Sequence, residues 1–231
     1  MKSSPMKYVA FCDVLGFSNA VLNNFEATIA VYQTFKDKLK IFCPIQDDSL
    51  SVSVYSDSVI IVADELSSVL GSVQALHWAT MMHEWLIRGG IAYGKHWQEV
   101  DGNNIYVVSD ALANAVAIEK TIKVPAIAIS SDITLSVERW VPRLHDIFTA
   151  SLIFYDGLAI VNPFNRFWFS SAKIIASHLL DMHPNHRGKY EWFISLFDAV
   201  ERNEILIPET IIVEMLELGI LAYTSNSDSL S

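Results

Sequence analysis

Cysteine is scarce in this chain. Cys12 and Cys43 are the only two among 231 residues. Neither has a CxxC partner or a histidine nearby at ligand spacing, so no zinc site is expected and Cys12 reads as a small core residue. Basic residues are also few: 16 Lys and Arg face 26 Asp and Glu, a formal net charge of −10. That balance argues against nucleic acid as the main partner, because a phosphate backbone needs basic patches. A nucleotide is not excluded, since bound metal can offset its charge. Long apolar runs are missing too. None reaches the roughly 18 uncharged residues of a membrane span. The nearest, residues 66–87, carries Ser67, Ser68, Gln74, His77, His83 and Glu84. No signal-peptide pattern opens the chain, so a soluble, cytoplasmic protein is expected. Neither GxxxxGK[ST] nor GxGxxG occurs, and there is no repeat, low-complexity tract or long linker.

What is present is core. Hydrophobic residues make up 52% of the chain and charged ones 18%, a globular composition rather than a disordered one. The mean hydropathy of +0.31 points to more apolar surface than a monomer needs, and so to a homo-oligomer. The pattern predicts strands over 7–14, 49–55, 59–63, 89–93 and 126–130, with a hairpin joint at Ser56-Asp57-Ser58. It predicts helices over 25–42 (ended by Pro44), 65–86 and 110–120, then 166–180, 189–202 and 209–218 (entered through Pro208). The order βαββαβ followed by a helix and a strand fits an α+β fold, a ferredoxin-like antiparallel sheet with helices on one face. Residues 1–137 form the expected core and 138–231 a mainly helical extension packed on it.

Two acids stand out. Asp13 ends the first strand and Asp57 tips the hairpin, and in such a sheet the two can face one space. Paired carboxylates are hard ligands suited to one or two Mg²⁺ or Mn²⁺ ions, with phosphate oxygens completing the shell. Gly16 would let main-chain N–H groups approach a triphosphate closely. Each residue also has a plainer reading. Asp13 can be a turn residue before Gly16, and Asp57 a hairpin-turn residue. Arg88 can cap the preceding helix as readily as bind phosphate. Tyr55 and Tyr106 can be packing aromatics. His178, His183 and His186 fit no zinc spacing, residues 181–186 reading as a polar inter-helix loop, and Trp168 and Trp192 read as packing.

Four segments, in order, resemble the class III nucleotidyl cyclases. Phe11-Cys12-Asp13-Val14-Leu15-Gly16-Phe17-Ser18 resembles their first metal-binding strand, and Ser56-Asp57-Ser58 their second metal-binding hairpin. Arg88-Gly89-Gly90-Ile91-Ala92-Tyr93-Gly94 and Ser109-Asp110-Ala111-Leu112-Ala113-Asn114-Ala115 resemble the next strand and helix. The likeness runs over residues 7–131. It implies a homodimer with shared sites, in which Asp13, Asp57 and the Val14 carbonyl hold two Mn²⁺ or Mg²⁺ ions. The 3′-hydroxyl of a nucleoside triphosphate then attacks its own α-phosphate. Gly16, Phe17, Ser18 and Ser58 fall in the substrate-binding stretches.

Departures from the pattern refine the expectation. Adenylyl cyclases carry a Lys where Ser53 stands and an Asp where Tyr106 stands, and guanylyl cyclases carry Glu and Cys there. Neither purine-reading pair is present, and Tyr55 narrows the base pocket. The combination resembles the pyrimidine cyclases of bacterial Pycsar anti-phage systems, as do Asn162-Pro163-Phe164 and Lys189-Tyr190-Glu191-Trp192-Phe193. This implies UTP, ahead of CTP, as substrate, cyclic UMP as product, and a separate effector protein that the product activates. The transition-state Asn and Arg of the family fall on Ala113 and Ala117. Arg88 is the nearest alternative cation, and an inactive nucleotide-binding module is the rival reading.

Overall fold

A computed structural model describes residues 4–42, 49–136, 147–205 and 209–222. Cys43, Pro44, Pro208 and the expected boundary at 137/138 lie outside the described residues. The first strand, β1 (Met6–Leu15), is buried on both faces, which is why its sequence reads as an almost continuous apolar run. Ala10, Cys12 and Val14 pack with Val69, Val73 and Leu76 of helix α3 (Leu66–Met81). Val9 points the other way, against Ala111 of α4 (Asp110–Thr121). The two-residue period of a strand places Asp13 on Val9's side.

Between β1 and α3 come α1 (Phe17–Asn23), α2 (Phe25–Phe42), β2 (Leu50–Tyr55) and β3 (Ser58–Ala63); β4 (Leu86–Asp101) follows α3. The four strands lie in the order β2-β3-β1-β4, every neighbour antiparallel. This is the ferredoxin-like strand arrangement expected from the element order, but the helices are not all on one face: α3 covers the Cys12 side of the sheet and α4 the Val9 side. Beyond β4 the sheet continues with β6 (Ile127–Ile129), parallel to β4.

Besides α1, which had no counterpart among the expected helices, three features depart from the expected elements. Helix α3 stops at Met81, not Leu86. Glu84 takes a left-handed φ of 60°, and the apolar Leu86 and Ile87 pair with Leu15 and Val14 as sheet. Strand β4 runs 16 residues instead of five and turns back into β5 (Asn104–Ser109), which had no counterpart in the sequence reading. The extension is helix-rich, with α5 (Phe169–Met182), α6 (Arg187–Glu201) and α7 (Glu209–Glu217), but it also adds strands. The hairpin β8 (Leu152–Tyr155) and β9 (Leu158–Val161) pairs onto β6 and widens the central sheet. Its Asp156-Gly157 corner has φ of 53° and 76°, the geometry of a tight hairpin turn. A short pair, β7 (Leu135–Ser136) with β10 (Leu221–Ala222), ties the C-terminal end of the described chain to the core.

A second apolar cluster binds the extension to the sheet. Phe164 sits at its centre, with Trp168, Phe169, Phe193 and Phe197 around it. The fully buried Asn162 fixes this segment: its Nδ2 donates to the Ile147 and Ala150 carbonyls at 2.9 and 3.0 Å, and its Oδ1 accepts from Phe164 N–H at 3.0 Å. Trp168 packs as expected, and Trp192 donates from Nε1 to Asp156 at 3.0 Å.

His77 gives this core a pH dependence. It is buried in α3, its Nε2 has no hydrogen-bond partner among the described residues, and burial pushes its pKa down to about 3. Between pH 6.5 and 3 the unfolded chain therefore binds a proton that the folded chain refuses. Stability falls as the pH drops through that window, by about 1.4 kcal/mol per unit, or about 2 kcal/mol from pH 7 to 5. His77→Leu should flatten this limb, read as a smaller difference between urea midpoints at pH 7 and 5 than in the unaltered protein.

Candidate active site

The site forms where β1 ends. Asp13 lies opposite Ser58 on one side and Arg88 on the other, because β1 is the central strand between β3 and β4. The hairpin tip closes on the strand end: Val14 N–H donates to the Asp57 carbonyl at 2.8 Å, and Ser18 Oγ donates to Asp57 Oδ2 at 3.3 Å. Gly16 has a φ of 87°, a left-handed turn that glycine adopts without strain, and α1 begins directly after it. Asp13, Val14, Gly16, Ser18, Asp57, Ser58 and Arg88 are therefore brought together.

Asp13 is half-buried, and its pKa is raised, first by that burial and next by the Asp57 charge; Arg88 opposes both. Arg88 Nη2 approaches Asp13 Oδ2 at 3.4 Å, and its Nε lies 2.6 Å from Glu119 Oε1. The second contact is a close ion pair rather than a straight hydrogen bond. Glu119 is 6% exposed and was not singled out in the sequence. Its signal was the spacing Ala111, Ala115, Glu119, one buried stripe of α4. Lys189 in the first turn of α6 is a second residue missed. Burial and the charge of Arg88 lower its pKa, Asp13 raises it, and it in turn acts on Asp13. The extension thus brings a cation to the site. Next to it Tyr190 lines a cavity of about 180 Å³ together with Leu15, Gly16 and His183.

Other expected residues are placed differently. The Phe17 side chain is buried against Tyr32 and Trp85, with ring centroids at 5.5 and 5.7 Å, so it packs. Tyr55 ends β2 at the hairpin and is 52% exposed. Tyr106 lies on β5 opposite Glu99. That is eleven residues along β4 from Arg88, roughly 36 Å on a straight strand, so one chain does not bring it to Asp13. Ala113, Asn114 and Ala117 are exposed on α4, turned away from the buried stripe that carries Glu119.

Two carboxylates and a neighbouring main-chain carbonyl make an all-oxygen donor set, which fits Mg²⁺ or Mn²⁺ better than a soft metal. Among the described residues no cluster of three or more His, Cys, Asp or Glu forms a metal-ligand set, so the fit rests on this pair and the carbonyl.

No protein-family model matches the chain, and no curated protein matches it. Several solved structures are similar in fold. The adenylyl cyclase CyaB from P. aeruginosa is 12% identical, with 68% of this chain and 94% of that one covered at a TM-score of 0.45. The guanylyl cyclase Cya2 is 13% identical, covering 72% and 97% at 0.47. A dimeric guanylyl cyclase domain of the RhoGC fusion protein from the aquatic fungus Blastocladiella emersonii is 16% identical, covering 69% and 94% at 0.48. Similarity at this level decides neither family nor activity. No helix among the described residues is long and apolar enough to cross a membrane.

Proposed function

We propose that this chain is a divalent-metal-dependent nucleotidyl cyclase that converts UTP, ahead of CTP, to the 3′,5′-cyclic monophosphate and pyrophosphate. The observation that carries the reading is the convergence of Asp13 and Asp57 beside Arg88 at one strand end. Substrate O3′ bonds to its own α-phosphorus, the bond from that phosphorus to the pyrophosphate oxygen breaks, and the O3′ proton passes to water. Asp13, Asp57 and the Val14 carbonyl would hold two Mn²⁺ or Mg²⁺ ions. Such ions, when bound, supply positive charge to the phosphate oxygens. The turn from Gly16 to Ser18 offers main-chain N–H groups to the triphosphate. Arg88 faces the charge that develops in the transition state, in place of the cation missing at Ala117.

Base choice is proposed from Ser53 and Tyr106, which replace purine-reading residues, and from the bulk of Tyr55. Tyr106 enters only a site shared across a homodimer. The β4–β5 ribbon supports that assembly, since Val100, Ile105, Tyr106 and Val108 are all exposed on it. The anti-phage role, through a cyclic nucleotide that activates a separate effector protein, rests on the sequence resemblance alone. A nucleotide-binding module without turnover is favoured by one observation, the exposed alanines at 113 and 117.

A product assay tests the proposal. Purified protein with Mn²⁺ and each of ATP, GTP, CTP and UTP, analysed by mass, is expected to yield cyclic UMP chiefly. Cyclic AMP or GMP as the main product would overturn the base assignment. Nucleotide binding without any cyclic product would favour the inactive module.

A further inference from the structure

Arg88 stands between two acids at unequal distances. It lies 2.6 Å from Glu119 and 3.4 Å from Asp13, so the guanidinium is drawn toward the helix and away from the strand acid. This matters because Asp13 has two claims on it: an arginine held against a carboxylate competes with any cation that the carboxylate could ligate. We infer that Glu119 is a positioning residue, a buried counter-ion that holds Arg88 off Asp13 so that Asp13 stays available to a divalent cation. The inference rests on the metal reading of Asp13 and Asp57 above.

The construction around Glu119 supports this. Helix α4 lies close on β4, because a Cβ at Gly90 would come within 2.5 Å of the Ala115 carbonyl oxygen. That close approach carries Glu119 to the guanidinium rather than to solvent, since it extends the buried Ala111 and Ala115 stripe by one more turn. A buried carboxylate is retained only with a partner, and Arg88 is the ion-pair partner found among the described residues. Without the Glu119 charge, Asp13 becomes the nearest anion to Arg88, and the 3.4 Å contact closes. Asp57 and Lys189 also act on Asp13, but both stay unchanged in the variants below.

The test measures Mn²⁺ binding by calorimetry, without nucleotide and without reference to turnover, in the full chain. Four proteins are compared: unaltered, Glu119→Gln, Arg88→Met and the double variant. Glu119→Gln keeps the side-chain volume and should weaken Mn²⁺ binding about tenfold, as Arg88 moves onto Asp13. Arg88→Met alone should stay within about threefold of the unaltered protein, because Glu119 already holds that arginine back. In the double variant, affinity should return to within about threefold, since no arginine remains to compete. If the Glu119→Gln loss persists in the Arg88→Met background, Glu119 acts only through structure and the inference fails. It fails also if Arg88→Met tightens binding as much as Glu119→Gln weakens it, which is simple additive electrostatics. No Mn²⁺ binding by the unaltered protein would overturn the metal reading itself, and this inference with it. Arg88→Met leaves a buried acid unpaired, so the double variant, which does not, carries the decision if the single variant fails to fold.

Discussion

Asp57→Asn is expected to reduce cyclic-nucleotide formation by about 10³-fold or more while leaving the fold in place; removal of one group that meets transition-state charge alone is worth 10²–10³ in related chemistry. The two effects separate because Asp57 does two jobs with different atoms. Its main-chain carbonyl accepts from Val14 N–H at 2.8 Å and ties the hairpin tip to β1. That bond survives any side-chain change. Among the described residues its carboxylate accepts a 3.3 Å hydrogen bond from Ser18, which an amide oxygen can also accept. The change therefore removes a charge and little else, and thermal stability should move by less than about 1 kcal/mol, as for a surface substitution. Asp13→Asn is a poorer probe, because it also removes an ion-pair partner from Arg88. Product formation under saturating Mn²⁺ and UTP, measured alongside the melting temperature, checks the pair of expectations. Asp57→Asn activity above about a tenth of the unaltered rate would remove Asp57 from the chemistry.

The parts of this site that a reader can find in the sequence are those set by local rules. Asp13 is legible because a carboxylate terminates an apolar run that can only be a buried strand, and Asp57 because it occupies a short turn between two β-rich runs. Their convergence follows from βαββαβ order, which puts β1 beside β3. The strands that went unread failed on turn chemistry: Gly102-Asn103 and Asp156-Gly157 are both hairpin corners with left-handed φ at the glycine, and neither is flanked by alternating residues. Gly89-Gly90 looked like an entry to β4, yet both lie inside it, and the strand begins at Leu86. Glu119 and Lys189 are a different kind of miss. They sit 106 and 176 positions from Asp13, and nothing local says that α4 and α6 deliver an acid and a base to the same strand end. Only the packing does that, through a helix resting on glycines and an extension anchored by Asn162 and Phe164.

Gly90→Ala tests that packing from the other side and should be the most damaging single-methyl change near the site short of Gly89. A Cβ at Gly90 would lie 2.5 Å from the Ala115 carbonyl oxygen and 2.6 Å from Ile118 Cβ. Neither is the flexible end of a side chain, so no rotamer change relieves the clash, and α4 must move off the sheet. Overpacking of this kind costs about 1–3 kcal/mol, which for a chain of this size lowers the melting temperature by about 2–12 °C. The displaced helix takes Glu119 with it, so Gly90→Ala should weaken Mn²⁺ binding as Glu119→Gln does, and more than its loss of stability explains. Gly89→Ala should be worse, because its Cβ would run into the Phe11 carbonyl oxygen, within the ladder that places Asp13. Gly71, in α3, is the contrast: a Cβ there meets nothing within 4 Å, and Gly71→Ala should stabilise the protein by about 0.5–1 kcal/mol through backbone entropy. Melting temperatures and Mn²⁺ titrations of the three variants separate the cases. Equal stability of Gly90→Ala and Gly71→Ala would mean that α4 does not rest on β4 as closely as the site requires.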